Sequence, residues 1–180
     1  MNDEINAASE VTKTNTLSLD TFKSMQFGPL GVVDNNEAIF YRDITSHEHI
    51  RTADIESKVA LIKCGSGMDS DFIHFCIDNE YKGVVIEAFG RGNVTPLMMD
   101  GVKRAIDNKI PIVIVSRCPI GRVLDSYGYP GAGKTLKNLG VIFGGDFPGQ
   151  KARIKLMLAL SITNNMDEIT DIFENGKYLK

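Results

Sequence analysis

The stretch from Gly83 to Asn93, GVVIEAFGRGN, determines how the second half of the chain folds. Its apolar residues follow one another without polar alternation, which predicts a strand covered on both faces, as in a parallel sheet flanked by helices. The glycines after the strand allow a tight turn. Ligand sites of open α/β sheets collect at the carboxyl ends of strands. Asn93 is therefore a candidate binding residue, and capping of the following helix is the alternative interpretation.

Predicted strands and helices alternate on either side of this stretch. Strands are expected at 59–63, 83–87, 111–116 and 140–144, and helices at 69–79, 95–107, 148–160 and 166–175. This alternation is typical of an α/β layer fold with a parallel sheet. Residues 117–134 form a long loop with no predicted helix, and loops of that length are usually functional or mobile.

The first part of the chain has a different pattern. Residues 1–42 carry strand and turn signals, and VVDNNEAIFY predicts a hairpin that turns between Asp34 and Glu37. The segment is too small to be a domain, so its apolar faces need a partner. Residues 43–57 are polar and weakly periodic, which predicts a linker before a domain at 58–180.

The bulk composition excludes several function classes. The 180 residues can hold one full domain with an appendage. A net charge of −3 argues against a nucleic-acid partner or an anionic membrane surface. The three cysteines are odd in number and lack metal-type spacing, so we expect reduced thiols in a cytoplasmic protein. Nothing resembles a signal peptide or a membrane span.

GYPGAGKT, from Gly128 to Thr135, satisfies the letter pattern of a phosphate-binding P-loop. A true P-loop needs a strand, the loop and a helix in immediate succession. Here the preceding predicted strand ends near Ser116, and only a few residues separate Thr135 from Gly140. We therefore expect a glycine-rich mobile loop and keep a nucleotide hydrolase as a remote alternative.

The histidines and the loop cysteine give weak signals. His47 and His49 lie two residues apart on the polar linker and lack the i, i+4 spacing of a zinc-protease helix, so we expect a solvated linker and no metal. His74 has no evident carboxylate or cysteine partner and is expected on a helix surface without a role. Cys118 is a minor candidate nucleophile, because no histidine base is near it in sequence.

Several motifs in order carry a specific resemblance. GVVIEAFGRGN, IVIVSRCPIGRV, YGYPGAGKTL and FPGQKARIKLMLAL resemble the C-terminal half of bacterial-type L-asparaginases. Upstream, VTKTNT, DTFKS and GPLGVV resemble the end of that family's first domain. The resemblance implies a three-layer flavodoxin-like domain with a four-stranded parallel sheet, preceded by a β-rich arm and linker. It also implies a homo-oligomer, in the family a tetramer built from intimate dimers.

The family hydrolyses L-asparagine to L-aspartate and ammonia, using a threonine nucleophile, a second threonine, an aspartate and a lysine, and no cofactor. All four belong to the family's N-terminal domain. This sequence has no TGGTI-like and no GTDT-like segment, and Thr12, Thr14 and Thr16 match only the end of that domain. The resemblance thus implies no catalytic residue here, and we expect a C-terminal portion that is inactive by itself. A stand-alone binding or assembly module, or the partner of a separately encoded N-terminal half, is the alternative.

Asn93 matches the family asparagine that helps to hold the amino-acid end of the substrate in a neighbouring subunit's active site. L-asparagine is then the expected small-molecule partner, and only in the intact enzyme. The family often adds an acidic residue from the long loop. In this chain the loop offers Asp125, and Tyr127 or Tyr129 is the alternative occupant of that place. The preference between asparagine and glutamine stays open.

Overall fold

The computed structural model describes residues 2–44 and 48–175, and the chain divides into two compact units, Met1–Glu48 and His49–Lys180. The first unit is built from short antiparallel strands. These are β1 (Glu4–Ile5), β2 (Thr12–Lys13), β3 (Phe22–Lys23), β4 (Gly31–Asp34) and β5 (Glu37–Phe40). One sheet has the order β1-β4-β5, and β2 pairs with β3 as a separate hairpin.

The predicted hairpin of the first unit is confirmed. Asp34 pairs with Glu37, so the β4–β5 turn contains only Asn35 and Asn36. Their φ values are 47° and 65°, both in the left-handed region. A two-residue turn of the type that matches strand twist requires positive φ at both positions, and asparagine tolerates that conformation better than most residues do.

The second unit is the expected α/β fold. Its strands are β6 (Val59–Lys63), β7 (Gly83–Ala88), β8 (Ile112–Ser116) and β9 (Ile142–Phe143), and they form one parallel sheet in that order. Its helices are α1 (Asp71–Asp78), α2 (Met99–Asp107), α3 (Gly133–Asn138), α4 (Gly149–Leu160) and α5 (Met166–Glu174), and a 3₁₀ turn at Pro96–Met98 precedes α2.

Strand β7 lies between two hydrophobic cores, one on each face of the sheet. Val84 and Ile86 pack with residues of α1, α2 and α3 on one face of the sheet, and Val85 packs with residues of α4 and α5 on the other. All three side chains are fully buried. The run without polar alternation is therefore covered on both faces, which confirms the prediction of a three-layer fold.

Helix α3 corrects the expectation that the long loop continues without a helix. Its six residues begin within the glycine-rich motif, where propensity alone disfavours a helix. Leu136 is fully buried in the core shared with α1 and α2, and this tertiary contact holds the turn in place. Among the helices of the described residues, none is both long and apolar enough to cross a membrane.

Candidate functional site

Asn93 lies on a tight loop at the carboxyl end of β7. The backbone N–H of Phe89 donates to the Asn93 carbonyl at 2.8 Å, and the Asn93 N–H donates back to the Phe89 carbonyl at 3.0 Å. Gly92 inside this loop has a φ of +109°, and a Cβ there would lie 3.2 Å from carbon atoms of Ile114 and Val123. The loop therefore requires glycine at this position and turns back on itself within five residues.

The Asn93 side chain contacts a helix that is distant in sequence. Its Oδ1 accepts a hydrogen bond from the backbone N–H of Gly133, the first residue of α3, at 3.3 Å. The helical turn that follows Asn93 has Thr95 as its N-cap. The interpretation that Asn93 caps the next helix is therefore wrong. Its Nδ2 has no hydrogen-bond partner within residues 2–44 and 48–175 and remains a donor on a half-buried side chain.

Strand β8 and the long loop after it (117–134) hold the loop that carries Asn93 (89–94, the Asn93 loop) at further points. Three hydrogen bonds make this connection: Ser116 Oγ to Gly90 O at 2.6 Å, Leu124 N to Arg91 O at 2.9 Å, and Val94 N to Gly131 O at 2.8 Å. Together with the Gly133 contact, they make one continuous structure of the two loops. The long loop is therefore part of the site and not a separate flap.

The long loop also brings its acidic residue to the start of α3. A Cβ on Gly133 would lie 2.6 Å from the Leu124 carbonyl oxygen and 3.1 Å from the Asp125 Cα, so this backbone packs directly on Gly133. The Lys134 N–H donates to the Tyr127 carbonyl at 2.9 Å. Asp125 and Tyr127 are thus neighbours of the N–H group that holds Asn93. Sequence reasoning missed Gly133, because 40 residues separate it from Asn93.

The P-loop pattern has no phosphate cradle. Three successive backbone N–H groups of the motif are already bonded inside the protein: Ala132 to Tyr129 O at 2.9 Å, Gly133 to Asn93 Oδ1 at 3.3 Å, and Lys134 to Tyr127 O at 2.9 Å. The Thr135 hydroxyl donates to the Tyr129 carbonyl at 3.0 Å. A P-loop acts through free amides. These contacts argue against nucleotide binding at this motif.

His74 corrects a second expectation. Its Nε2 lies 3.1 Å from the Asp100 carboxylate, and Arg104 Nη1 lies 3.1 Å from its Nδ1. Arg104 also donates to Asp78 at 2.6 Å, so the group ties α1 to α2 across their exposed side. His74 therefore does have a carboxylate partner, in a structural network. His47 lies outside the described residues, and the described part of the chain holds no group of three metal-ligating side chains.

None of the three cysteines is in a disulfide. Cys64 and Cys76 are buried and Cys118 is exposed. Burial raises the pKa of the Cys64 thiol to about 11, and the charge of Arg117 offsets only part of that effect. Burial also raises the pKa of Cys76. Both buried thiols stay protonated near neutral pH and act as packing groups.

Comparison with known proteins identifies the class. Residues 58–173 match the Glutaminase/Asparaginase C-terminal domain family, and residues 1–46 match the Asparaginase, N-terminal family. The chain belongs to the asparaginase/glutaminase family.

Among its relatives, an L-asparaginase of Bacillus licheniformis is 32% identical over 160 residues, covering 89% of this chain and 50% of the relative. A glutamyl-tRNA(Gln) amidotransferase subunit of Methanobrevibacter smithii is 32% identical over 178 residues, covering 96% of this chain and 40% of the relative. The amidotransferase subunit of the same name from Methanopyrus kandleri is 34% identical over 169 residues, covering 88% of this chain and 36% of the relative. The chain thus spans half or less of the length of these relatives.

Proposed function

We propose that these residues form the C-terminal portion of an asparaginase-type amidohydrolase and that Asn93 holds the amino-acid end of its substrate. One observation carries the proposal. Asn93 stands at the carboxyl end of the central strand with its oxygen fixed by Gly133 and its Nδ2 available as a donor. An N–H donor in that position suits the carboxylate of L-asparagine or L-glutamine.

In this proposal, the residues of this chain bind and orient the substrate. The nucleophile comes from residues outside these 180. Thr14 supports this division, because its hydroxyl donates to the Thr21 carbonyl at 2.8 Å within the first unit. Asp125, beside the same start of α3, carries a carboxylate that can accept from the substrate's ammonium group. Holding both ends of the amino-acid backbone fixes the amide for attack, which is how positioning residues lower a barrier.

The 180 residues by themselves are expected to release no ammonia from L-asparagine or L-glutamine above a heat-treated control. Activity should appear when they are joined to the N-terminal part of the Bacillus licheniformis relative. In that fusion, Asn93→Ala should lower kcat/KM for L-asparagine about 10–100-fold, since a hydrogen bond to a charged group is lost. Asn108→Ala is the matched control, because Asn108 Nδ2 donates to the Arg104 carbonyl at the end of α2. Equal kcat/KM in both variants would refute a substrate role for Asn93.

A second candidate is a part of a glutamyl-tRNA(Gln) amidotransferase, because two of the relatives above carry that name. The discriminating experiment joins the same 180 residues to the N-terminal part of the Methanobrevibacter smithii relative. Amide hydrolysis that is restored only in this second fusion, with L-glutamine preferred, favours the amidotransferase. Hydrolysis that is restored in the first fusion with L-asparagine preferred favours the asparaginase.

A further inference from the structure

The Asn93 loop is fastened at two ends by different kinds of contact. At its far end, backbone groups of Gly131 and Gly133 hold Val94 and the Asn93 side chain. At its near end, the contact to Gly90 is made by the side chain of Ser116. The four hydrogen bonds described above join the Asn93 loop to the rest of the unit. Only in the Ser116–Gly90 hydrogen bond is the donor a side chain that lies outside the loop.

Ser116 is well placed for this contact. It is the last residue of β8 and pairs in register with Ala88, the last residue of β7. Its Oγ accepts from the backbone N–H of Cys118 at 3.0 Å and donates to the Gly90 carbonyl at 2.6 Å. Since the Cys118 N–H occupies a lone pair, the hydroxyl proton is directed to Gly90. The single hydroxyl therefore joins the start of the Asn93 loop to the start of the long loop.

Gly90 is exposed and has open space on the side where a Cβ would lie. Its φ is +47°, and no heavy atom lies within 4 Å of the position that a Cβ would occupy there. Gly92, two residues later, is also in the left-handed region. Glycines lose much conformational freedom on folding, so a loop with two of them needs a specific constraint. The Ser116 hydrogen bond supplies that constraint at Gly90.

We infer that Ser116 is a positioning residue, which sets the direction of the Asn93 side chain by fixing the Gly90 carbonyl. The inference deepens the proposed function and rests on it, since the position of Asn93 matters for catalysis only if Asn93 binds substrate. Ser116 itself touches no substrate. Loss of its hydroxyl should release the near end of the loop while the sheet stays intact.

Amide hydrogen exchange of the full 180-residue chain, followed by ¹⁵N NMR, tests the structural step. Ser116→Ala should speed exchange at the N–H groups of Asn93, Val94 and Gly133 about tenfold, the effect of losing one hydrogen bond. Exchange at Val85 in the centre of the sheet should be unchanged. Ser116→Thr keeps a hydroxyl and should restore the parent rates.

Ser161→Ala is the matched control, because Ser161 Oγ also makes two hydrogen bonds, to Leu158 O at 2.7 Å and to Thr52 Oγ1 at 3.0 Å. It should leave the Asn93 loop unchanged. The inference is overturned if Ser116→Ala leaves the loop amides at parent rates, or if it speeds exchange equally at Val85, which would show a general loss of stability.

Titration with L-aspartate, followed at the Asn93 side-chain NH₂ signals, tests the functional step in the fusion with the N-terminal part of the Bacillus licheniformis relative, because the substrate is expected to bind only in the intact enzyme. In the parent fusion the signals should shift, and Ser116→Ala should weaken binding about tenfold, whereas Ser161→Ala should not. Faster loop exchange with unchanged L-aspartate affinity in Ser116→Ala would overturn the positioning role. A parent fusion whose NH₂ signals do not respond would count against the proposed function, and the exchange experiment on the 180-residue chain would still decide whether Ser116 fixes the loop.

Discussion

Gly133 contacts both Asn93 and the backbone of the long loop at Leu124 in the candidate site. It donates to Asn93 and has the Leu124 carbonyl oxygen 2.6 Å from where a Cβ would be. Because backbone cannot yield as a flexible side chain does, Gly133→Ala should lower the free energy of unfolding by about 1–3 kcal/mol. Gly128→Ala is the control, since nothing lies within 4 Å of its Cβ position. Denaturant titration of both variants measures the difference, and equal midpoints would contradict the close approach.

Cys64 predicts how stability depends on pH. Its pKa is raised in the folded state, so the unfolded chain loses the thiol proton at lower pH than the folded chain does. The contribution of the protonated Cys64 thiol to the free energy of unfolding is therefore present below about pH 9 and is lost as pH rises toward about 11. Cys64→Ala should flatten the fall in the free energy of unfolding across this range, and Cys118→Ala should not. Urea titrations at several alkaline pH values check this, and identical slopes in both variants would contradict it.

At the scale of elements, the last helix completes the edge of the sheet. Strand β9 has only two residues, and the N–H of Phe143 donates to the Glu174 carboxylate at 3.1 Å. Glu174, the last residue of α5, also forms an ion pair with Lys137 of α3. Glu174→Ala should destabilise the second unit by about 1–3 kcal/mol, because a half-buried N–H loses its acceptor.

Two variants separate the strand contact from the ion pair. Lys137→Ala removes the ion pair alone and should cost less than Glu174→Ala, since partly exposed pairs contribute little. Glu174→Gln keeps a neutral acceptor and should lie between them. Thermal unfolding followed by circular dichroism ranks the three. A cost for Lys137→Ala as large as that for Glu174→Ala would show that the ion pair dominates.

The elements with strong apolar patterns were predictable from sequence. The strand expected at 59–63 is β6 without change, and the helix expected at 148–160 begins one residue later, at Gly149. The predictions that failed concern features that depend on contacts between residues distant in sequence. Helix α3 has few residues and is held by the burial of Leu136, and the acceptors of His74 and Gly133 lie in elements that no local pattern connects.

At the scale of the whole molecule, the first unit presents an open sheet edge. Strand β5 pairs only with β4 among the described residues, and Ile39 and Phe40 are 41% and 64% exposed. An unpaired edge with apolar side chains is a template for association. We predict that the chain forms a dimer or a larger homo-oligomer through this edge. Light scattering should then show a smaller assembly for Ile39→Lys and for a chain that begins at Glu56.

Ile154→Lys is the control for added charge, because Ile154 is 52% exposed on α4 of the second unit. It should keep the parent mass. A parent chain that is monomeric with a protease-resistant first unit would show that this edge needs no second copy.

The fastening of the Asn93 loop also has a consequence for redesign. The long loop holds that loop through the main-chain groups of Leu124, Gly131 and Gly133. Gly131 and Gly133 have no room for a Cβ, but the side chains of Tyr127 and Tyr129 take no part in these contacts. We therefore expect that the exposed positions Tyr127 and Tyr129 can be randomised in a library while the Asn93 loop stays anchored. Under the proposed function, such a library would select for altered substrate preference on an unchanged backbone.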